Sequence, residues 1–345
     1  MNLDFMRDPR YSVRSLSDAI VNIPNEYSLL ASMGLFPEVG IRTTYVEVEI
    51  KNHSLNIIPT STRSSPAPHL GHSKRELRML KTIFMQLDDS LRPSDLQNVR
   101  AFGTDDVFAA FDELLAERFE LIQATYRQTH EYMRWGALKG NVYDADGTTV
   151  LYNCYTEMGE EKSSYDFKFA TTTLNGPLDA TVKARRDMQK SGMGEPINQI
   201  VWLCSPAFMD KTINHPYYKT FYDNQQGRPH PFFEDTAANG FVVAGQIFIE
   251  HSGEASYVDP ADGAVSTHSF ISSGEAIGVP LGTRQTFRSY FSPGEMMDTV
   301  NMPGQSMYAS VKELDHGRGI EIHTESAPLF LVQKPRLVLR GYSSN

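Results

Sequence analysis

The feature that most constrains the fold is a long run of helical periodicity that closes at Gly140. Thr104 suits the N-cap position, and Asp105 and Asp106 suit the positive end of a helix. Apolar residues recur at three- and four-residue steps and so share one face: Phe108, Phe111, Leu115, Phe119, Ile122, Tyr126 and Met133. We predict one helix over residues 104–139, which rises by about 1.5 Å per residue. Few globular helices are so long, so this one is expected to be a spine for the fold.

Two runs of alternating polar and apolar residues precede the helix. In residues 43–51 the apolar side chains of Val46, Val48 and Ile50 share one face, which predicts a half-buried strand. In residues 76–87 the alternation places these residues on one side: Leu77, Met79, Ile83, Met85 and Leu87. We predict a long two-stranded hairpin. Because such a hairpin is marginal alone in water, it should lie on another surface, which can belong to another subunit.

The tip of this hairpin, residues 59–78, reads PTSTRSSPAPHLGHSKRELR and is rich in Pro and Ser. A basic cluster runs through it and beyond, with Glu76 as its one acid, on a chain whose net charge is −10. One interpretation is a solvated face; the sharper one is docking against an acidic surface of an identical neighbour. The candidate intersubunit contacts are Arg63, His69, His72, Lys74, Arg75, Arg78 and Lys81.

The remainder of the chain mixes helix and strand. A hairpin over residues 141–155 turns at Asp146 and Gly147, and short helices are predicted over 177–190 and 206–222. Residues 197–204 read as a buried strand, and the chain is mostly strand-like from Phe232 onward. The first 42 residues lack periodicity and suit an extended arm. The predicted class is α+β.

Composition excludes several kinds of protein. With 345 residues, 40% hydrophobic and 21% charged, the chain is typical of a globular protein of more than one sub-domain. A net charge of −10 argues against a protein that coats nucleic acid.

Cys154 and Cys204 stand in apolar surroundings and make no disulfide framework, so a reducing compartment is expected. No signal peptide is evident, and the most apolar run, residues 240–249, is too short to span a bilayer, so we expect a soluble protein made inside the cell.

The sequence motifs do not form a recognisable set of catalytic residues. His69 and His72 stand in a Pro-rich loop without the helical spacing and the Glu of a zinc protease, so a metal-dependent hydrolase remains only a remote alternative. Asp144 to Gly147 resembles the start of a calcium loop but lacks its later acids, and a hairpin turn is preferred. Nucleophile elbows, Walker loops and dinucleotide-binding glycine motifs are absent from the sequence. We predict a protein that is not an enzyme, with no cofactor and no metal site.

The order of these elements resembles the HK97-type capsid fold of tailed bacteriophages. More closely, the segments GALKGNVYDADG after the helix and ESAPLFLV near the end resemble the lambda major capsid protein E family. The resemblance implies an N-terminal arm over 1–42 and an E-loop over 43–92. It further implies a peripheral (P) domain over 93–159 and 306–345, with a spine helix over 104–139, and an axial (A) domain over 160–305.

The resemblance also implies a function. Members of this family assemble through hexamers and pentamers into an icosahedral shell that encloses double-stranded DNA without sequence-specific binding. Portal, scaffold and decoration proteins are then the expected partners, and the virion, assembled in the cytoplasm of a bacterial host, is the expected location. No membrane contact is implied. An encapsulin-like nanocompartment shell is the alternative with the same fold. No residue can be assigned to a covalent cross-link, and Lys74 and Lys81 are not taken as cross-linkers.

Overall fold

A computed structural model of the chain describes residues 28–51, 75–96, 107–170, 176–192, 194–218, 240–258 and 263–344. The helices are α1 (Leu29–Ser32), α2 (Pro93–Leu96), α3 (Val107–Lys139), α4 (Cys154–Met158), α5 (Gly176–Ser191) and α6 (Pro206–Ile213). Single 3₁₀ turns lie at Met297–Thr299, Asp315–Gly317 and Pro335–Leu337. Helix and sheet are mixed, as the α+β prediction requires. None of the described helices is long and apolar enough to cross a membrane.

The first nine strands alternate along the chain with the helices α2 to α6. These strands are β1 (Glu38–Gly40), β2 (Tyr45–Lys51), β3 (Arg75–Lys81), β4 (Met85–Leu91), β5 (Asn141–Tyr143), β6 (Val150–Asn153), β7 (Ser163–Asp166), β8 (Gln199–Cys204) and β9 (Phe241–Val243). The second half follows almost without helix. It comprises β10 (Gln246–Glu250), β11 (Glu254–Val258), β12 (Val265–Ser269), β13 (Ala276–Leu281), β14 (Phe287–Phe291), β15 (Tyr308–Glu313), β16 (Ile320–Ser326), β17 (Pro328–Val332) and β18 (Leu339–Tyr342).

The strands pair into one large sheet and several small ones. The large sheet has the order β7-β18-β13-β8-β10-β9, and three-stranded sheets have the orders β1-β14-β17 and β15-β16-β4. Three two-stranded ribbons, β2-β3, β5-β6 and β11-β12, complete the described strands. Pairing joins distant segments, since β18 near the chain end lies between β7 and β13. The domain division predicted above therefore separates strands that share a sheet, and it stays a prediction.

Two predicted elements are confirmed at the centre of the fold. Strand β8 is buried from Ile200 to Cys204 and lies between β13 and β10, as its continuous apolar run predicts. The predicted hairpin is confirmed as the β5–β6 ribbon, which turns through Gly147 with φ 68°, but it is shorter than predicted because Cys154 and Tyr155 already belong to α4. Both cysteines are buried and free. Burial raises the pKa of the Cys154 thiol to about 11 and raises that of Cys204 as well, which fits core residues.

Helix α3 is the predicted spine, confirmed from Val107 to Lys139. The described members of its predicted stripe are all buried: Leu115, Phe119, Ile122, Tyr126 and Met133. The side chains at positions 108 and 111 lie outside the described set. Its first half packs on the β15-β16-β4 sheet through Leu91, Ile320 and Ile322. Its last turns enter a second cluster, where Trp135 and Leu138 pack with residues of β14 and β17.

The predicted second strand of the hairpin is wrong in its length. The run over 76–87 forms two strands, because the chain leaves the ribbon at Thr82 and β4 pairs with β16 instead of β2. Of the residues predicted to share one side, Leu77 and Met79 are 59% and 61% exposed in one chain, whereas Leu80 on the other face is 6% exposed. The physical reason is register, since Val46 and Val48 are buried and their partners across the ribbon are Leu80 and Arg78.

The helix predicted over 206–222 is shorter than expected. It ends at Ile213, and Asn214 is its C-cap. His215 separates this cap from Pro216, which has no backbone N–H to continue the hydrogen bonds of α6, and residues 216–218 begin a new helical turn. Residues 219–222 lie outside the described residues. The helix predicted over 177–190 is confirmed as α5.

The packing of α3 gives a test with a control on the same helix. Replacing Leu115 by Ala removes a side chain that is 5% exposed and should lower the free energy of unfolding by about 2–5 kcal/mol. The same change at Leu121, which is 60% exposed, should alter it by no more than about 0.5 kcal/mol. Denaturant unfolding of both variants measures the difference. Equal effects at the two positions would contradict the phase of the helix.

Candidate intersubunit surface

The structure describes part of the predicted contact set. Arg63, His69, His72 and Lys74 lie outside the described residues. Arg75 stands in β3 opposite Lys51, but its side chain is not among those described. Arg78 and Lys81 are the members whose side chains are described, and they lie on opposite faces of the ribbon because strand residues alternate. The described part of the candidate surface is therefore the β2–β3 ribbon, Tyr45–Lys51 with Arg75–Lys81.

The inner face of the ribbon belongs to the protein core. Val46, Val48 and Leu80 are each buried and join the same apolar cluster as Trp135 and Phe330. Burying three aliphatic side chains contributes roughly 1.5–3 kcal/mol each, which compensates for the marginal stability of an isolated ribbon. This part of the ribbon thus lies on its own subunit.

Arg78 reinforces that attachment. Its guanidinium donates to the carbonyl oxygens of Thr156, at 3.0 Å, and Glu157. These carbonyls stand in the last turn of α4, which ends at Gly159 with φ 67°. The Thr156 carbonyl also accepts the N–H of the C-cap Gly159 at 3.2 Å, so Arg78 is its second donor, and a cation at this end of a helix meets the negative end of the dipole. Arg78, predicted as an intersubunit contact, binds its own chain here.

The outer face of the ribbon is exposed and partly apolar. We define it by its described residues Tyr45, Glu47, Leu77, Met79 and Lys81, all of which are exposed. Leu77 and Met79 are adjacent on this face of β3, two residues apart. An apolar pair exposed on a two-stranded ribbon is typical of an interaction surface.

A groove of about 590 Å³ lies between α3 and the neighbouring strands. Residues 83–87, the middle of α3, the β5–β6 turn and the β11–β12 ribbon form its walls. The lining residues, all within the described part of the chain, are mainly aliphatic and aromatic and include no lysine or arginine. Asp144 is the one carboxylate among them. The groove can accept an apolar segment and has a negative charge at one wall.

A second polar arrangement joins β4, β16 and the loop after β14. His323 lies between two carboxylates: its Nδ1 contacts Asp88 Oδ1, and its Nε2 is 2.9 Å from Glu325 Oε1. The side chain of Glu325 is 5% exposed, and its other oxygen accepts the backbone N–H of Glu295 at 2.7 Å. Partial burial lowers the pKa of His323, but hydrogen bonds to Glu325 and Asp88 outweigh this effect and raise it above the ordinary value. The protonated form of His323 therefore compensates the charge of a carboxylate whose side chain is 5% exposed.

Charged residues on the buried side of α3 hold the segment before β1. Glu131 is 3% exposed, and its Oε1 accepts the backbone N–H of Leu30 in α1 at 2.8 Å. Arg134, one turn on, lies 3.2 Å from Glu38 and also stands over the ring of Phe330. Sequence reasoning missed this contact. The available signal was an acid and a base three residues apart within the otherwise apolar end of the helix.

No metal centre is formed by the residues that the structure describes: no group of three or more His, Cys, Asp or Glu side chains has the required geometry there. His69 and His72 lie outside those residues, so the hydrolase alternative is not tested by this finding. Asp146 in the β5–β6 turn accepts hydrogen bonds from the backbone and hydroxyl groups of Thr148 and Thr149, which lower its pKa. The Asp146 carboxylate therefore stabilises the turn in which it lies, as expected for a hairpin turn.

Comparison with known proteins finds phage capsid proteins both by sequence and by fold. A family model described as phage major capsid protein E matches residues 12–343. The chain is 24% identical to the major capsid protein of Pseudomonas phage KPP10 over 344 residues, 96% of each chain. It is 24% identical to that of Salmonella phage Felix O1 over 360 residues, 96% of this chain and 95% of the relative. A crystal structure described as a prophage capsid protein of Escherichia coli CFT073 shares the fold, with TM-score 0.56, 12% identity, and 96% and 99% coverage of the two chains.

The Arg78 contact predicts local loosening without global unfolding. Arg78→Ala should remove the hydrogen bonds to Thr156 and Glu157, each worth about 1.5–3 kcal/mol when the donor is charged and well buried, and less here because the site is partly exposed. Amide hydrogen exchange in β2 and β3 should accelerate several-fold. Lys81→Ala, on the same strand, is the control and should leave exchange unchanged. Unaltered exchange in Arg78→Ala would show that the contact does not hold the ribbon.

The His323 cluster predicts a pH-dependent stability. Because the pKa of His323 is raised on folding, its contribution is complete below the unfolded value of about 6.5 and is lost as pH rises through the higher folded value. The free energy of unfolding should therefore fall over this window. His323→Gln should abolish that component, whereas His316→Gln, at an exposed position, should preserve it. Urea unfolding at several pH values provides the measurement, and identical profiles for the two variants would refute the assignment.

Proposed function

Because the chain belongs to the phage major capsid protein E family, and is by that membership a major capsid protein of tailed-phage type, we propose that it assembles through hexamers and pentamers into an icosahedral shell. The shell encloses double-stranded DNA. The observation that carries the proposal is the extent of the family match, residues 12–343, together with a fold shared along nearly the whole chain.

The acidic character of the chain supports an enclosing role. A net charge of −10 disfavours tight adhesion to packaged DNA, which a shell must hold without binding its sequence. The family is one of structural capsid proteins. We therefore assign the chain no catalytic activity, no cofactor and no metal. Its place is the virion, with synthesis and assembly in the cytoplasm of the bacterial host.

Further partners follow from the same role. A portal complex, a scaffold and a decoration protein are the expected partners of such a shell.

The domain division into arm, E-loop, peripheral and axial parts is kept as part of this proposal. It assigns the β2–β3 ribbon to the E-loop and α3 to the peripheral domain.

The basic residues of the E-loop supply contacts to a neighbouring subunit in this proposal. They are Arg63, His69, His72, Lys74, Arg75 and Lys81. Arg78 has a different part, because it fixes the ribbon to the helix α4 of its own chain. A change at Arg78 would therefore disturb the ribbon itself as well as any contact it makes.

Assembly is the direct test. The purified full chain should sediment as capsomers or shells, and electron microscopy should show rings or closed particles. Raising the salt concentration should weaken assembly if the E-loop cations act between subunits, because exposed ion pairs are screened. A monomer that stays monodisperse at high concentration, and that no phage partner converts into particles, would overturn the proposal. Shells that enclose an enzyme cargo and no DNA in their native host would indicate a nanocompartment instead.

A further inference from the structure

Exposed cations from three separate segments of the chain gather on and beside α5. Lys183, Arg186 and Lys190 follow one exposed face of that helix, at spacings of three and four residues. Arg336 is exposed on the 3₁₀ turn that packs against α5, and Arg284 is exposed in the loop before β14. We call these five residues the basic surface.

Buried contacts hold the three segments of the basic surface together. Glu195 follows α5, and its side chain is 6% exposed. Its Oε2 accepts the backbone N–H of Arg284 at 2.8 Å, and its Oε1 lies 3.2 Å from the ammonium group of Lys334. On the other side of α5, Ala184 is buried in the same cluster as Trp202 of β8. The cations therefore extend from a fixed part of the fold.

The cations of the basic surface are not paired with acids within the described part of the chain, where none of the five forms an ion pair. Neighbouring acids have other contacts. The Asp187 carboxylate accepts the hydroxyl of Tyr165 at 3.1 Å, and that of Glu160 accepts the backbone N–H of Arg336 at 2.9 Å. The surface is thus locally basic on a chain whose net charge is −10.

The composition of this surface favours a polyanion over a protein as its partner. The large apolar side chains that are exposed lie in other segments; none of the described ones is in α5, in residues 284–288 or in the turn at Pro335–Leu337. Protein interfaces generally depend on apolar or aromatic anchors, whereas binding to a phosphate backbone depends on lysine and arginine. The row from Lys183 to Lys190 rises about 10 Å along the helix, the axial length of about three phosphates of one DNA strand.

We propose that the basic surface contacts the phosphate groups of the enclosed double-stranded DNA. The proposal rests on the proposed function, since it assigns to one face of the capsid subunit a contact with the polymer that the shell encloses. The contact is independent of base sequence, because phosphate groups carry no sequence information. The net charge of −10 keeps it weak, so the shell meets the DNA locally without adhering to it tightly.

Binding of a short labelled DNA duplex to the purified full chain tests the chemistry. By fluorescence anisotropy at low salt, the triple variant Lys183→Gln/Arg186→Gln/Lys190→Gln should bind about tenfold more weakly than the unaltered chain. Its affinity should also depend less steeply on salt concentration, by about two to three charges, because fewer counterions are released. Two duplexes of unrelated sequence should bind the unaltered chain equally.

The matched control replaces three exposed cations of the β15-β16-β4 sheet by Gln: Arg92, Lys312 and Arg318. It has the same net charge as the first triple variant and should bind the duplex as the unaltered chain does. Equal DNA affinities in the two triple variants would show that total charge alone governs binding and would overturn the proposal. Lys183→Arg with Lys190→Arg keeps both charges and should keep the affinity.

Lysine reactivity in particles tests whether the basic surface faces the DNA. In shells of the unaltered chain, Lys183 and Lys190 should react with an acetylating reagent several-fold more slowly when the shells contain DNA than when they are empty. Lys312, exposed on β15, should react equally in both. Mass spectrometry measures the modified fraction at each lysine. Equal reactivity of Lys183 and Lys190 in full and empty shells would overturn the proposal.

These outcomes separate failure of this inference from failure of the proposed function. Shells that form normally from the α5 triple variant, with an unchanged DNA affinity, would overturn the contact and leave the capsid role intact. If that variant keeps its DNA affinity but no longer forms capsomers, the basic surface binds an acidic surface of a second copy, and the inference is overturned. Failure of the unaltered chain to form shells would overturn the capsid role together with the inference.

Discussion

The packing of α3 across two apolar clusters is the constraint on which the rest of the described structure depends. Leu115, Phe119 and Ile122 pack on the β15-β16-β4 sheet, and Trp135 and Leu138 belong to the cluster that includes β14 and β17. Neither three-stranded sheet is large enough to be stable without a covering layer. A helix of 33 residues gives both sheets that layer and fixes them along one rigid element.

The charged residues within the buried side of the same helix have a positional role. Glu131 and Arg134 are 3% and 6% exposed, and they bind the N–H of Leu30 and the carboxylate of Glu38. Burial raises the pKa of Glu131, although the N–H of Leu30 and the charge of Arg134 lower it in part. A buried ion pair contributes little net stability, but removing either partner leaves the other as a buried charge without compensation. These residues therefore specify where the segment before β1 attaches, and in the other polar cluster His323 and Glu325 do the same for the loop at Glu295.

Sequence patterns predicted those elements whose burial is decided within one segment. The stripe of α3 and the apolar run of β8 each require only local periodicity, and both are confirmed. The face of β3 could not be predicted in this way, because both of its faces carry apolar residues and the choice is made by pairing with β2. Contacts such as Arg78 with Thr156, 78 positions apart, leave no local pattern. The cations at 63–74 lie outside the described residues, so their predicted role stays a prediction.

The apolar pair on β3 shows what alternation can and cannot predict. Leu77 and Met79 share one face of the strand, as the alternation requires, and in one chain that face is exposed, whereas Leu80 on the opposite face is buried. Exposed apolar residues such as Leu121 are ordinary on protein surfaces. Each face of β3 also carries a cation, Arg78 on the inner face and Lys81 on the outer, so composition alone does not decide which face is buried. Alternation therefore specifies which residues share a face, whereas burial depends on pairing with β2, whose Val46 and Val48 fix the inner face of the ribbon.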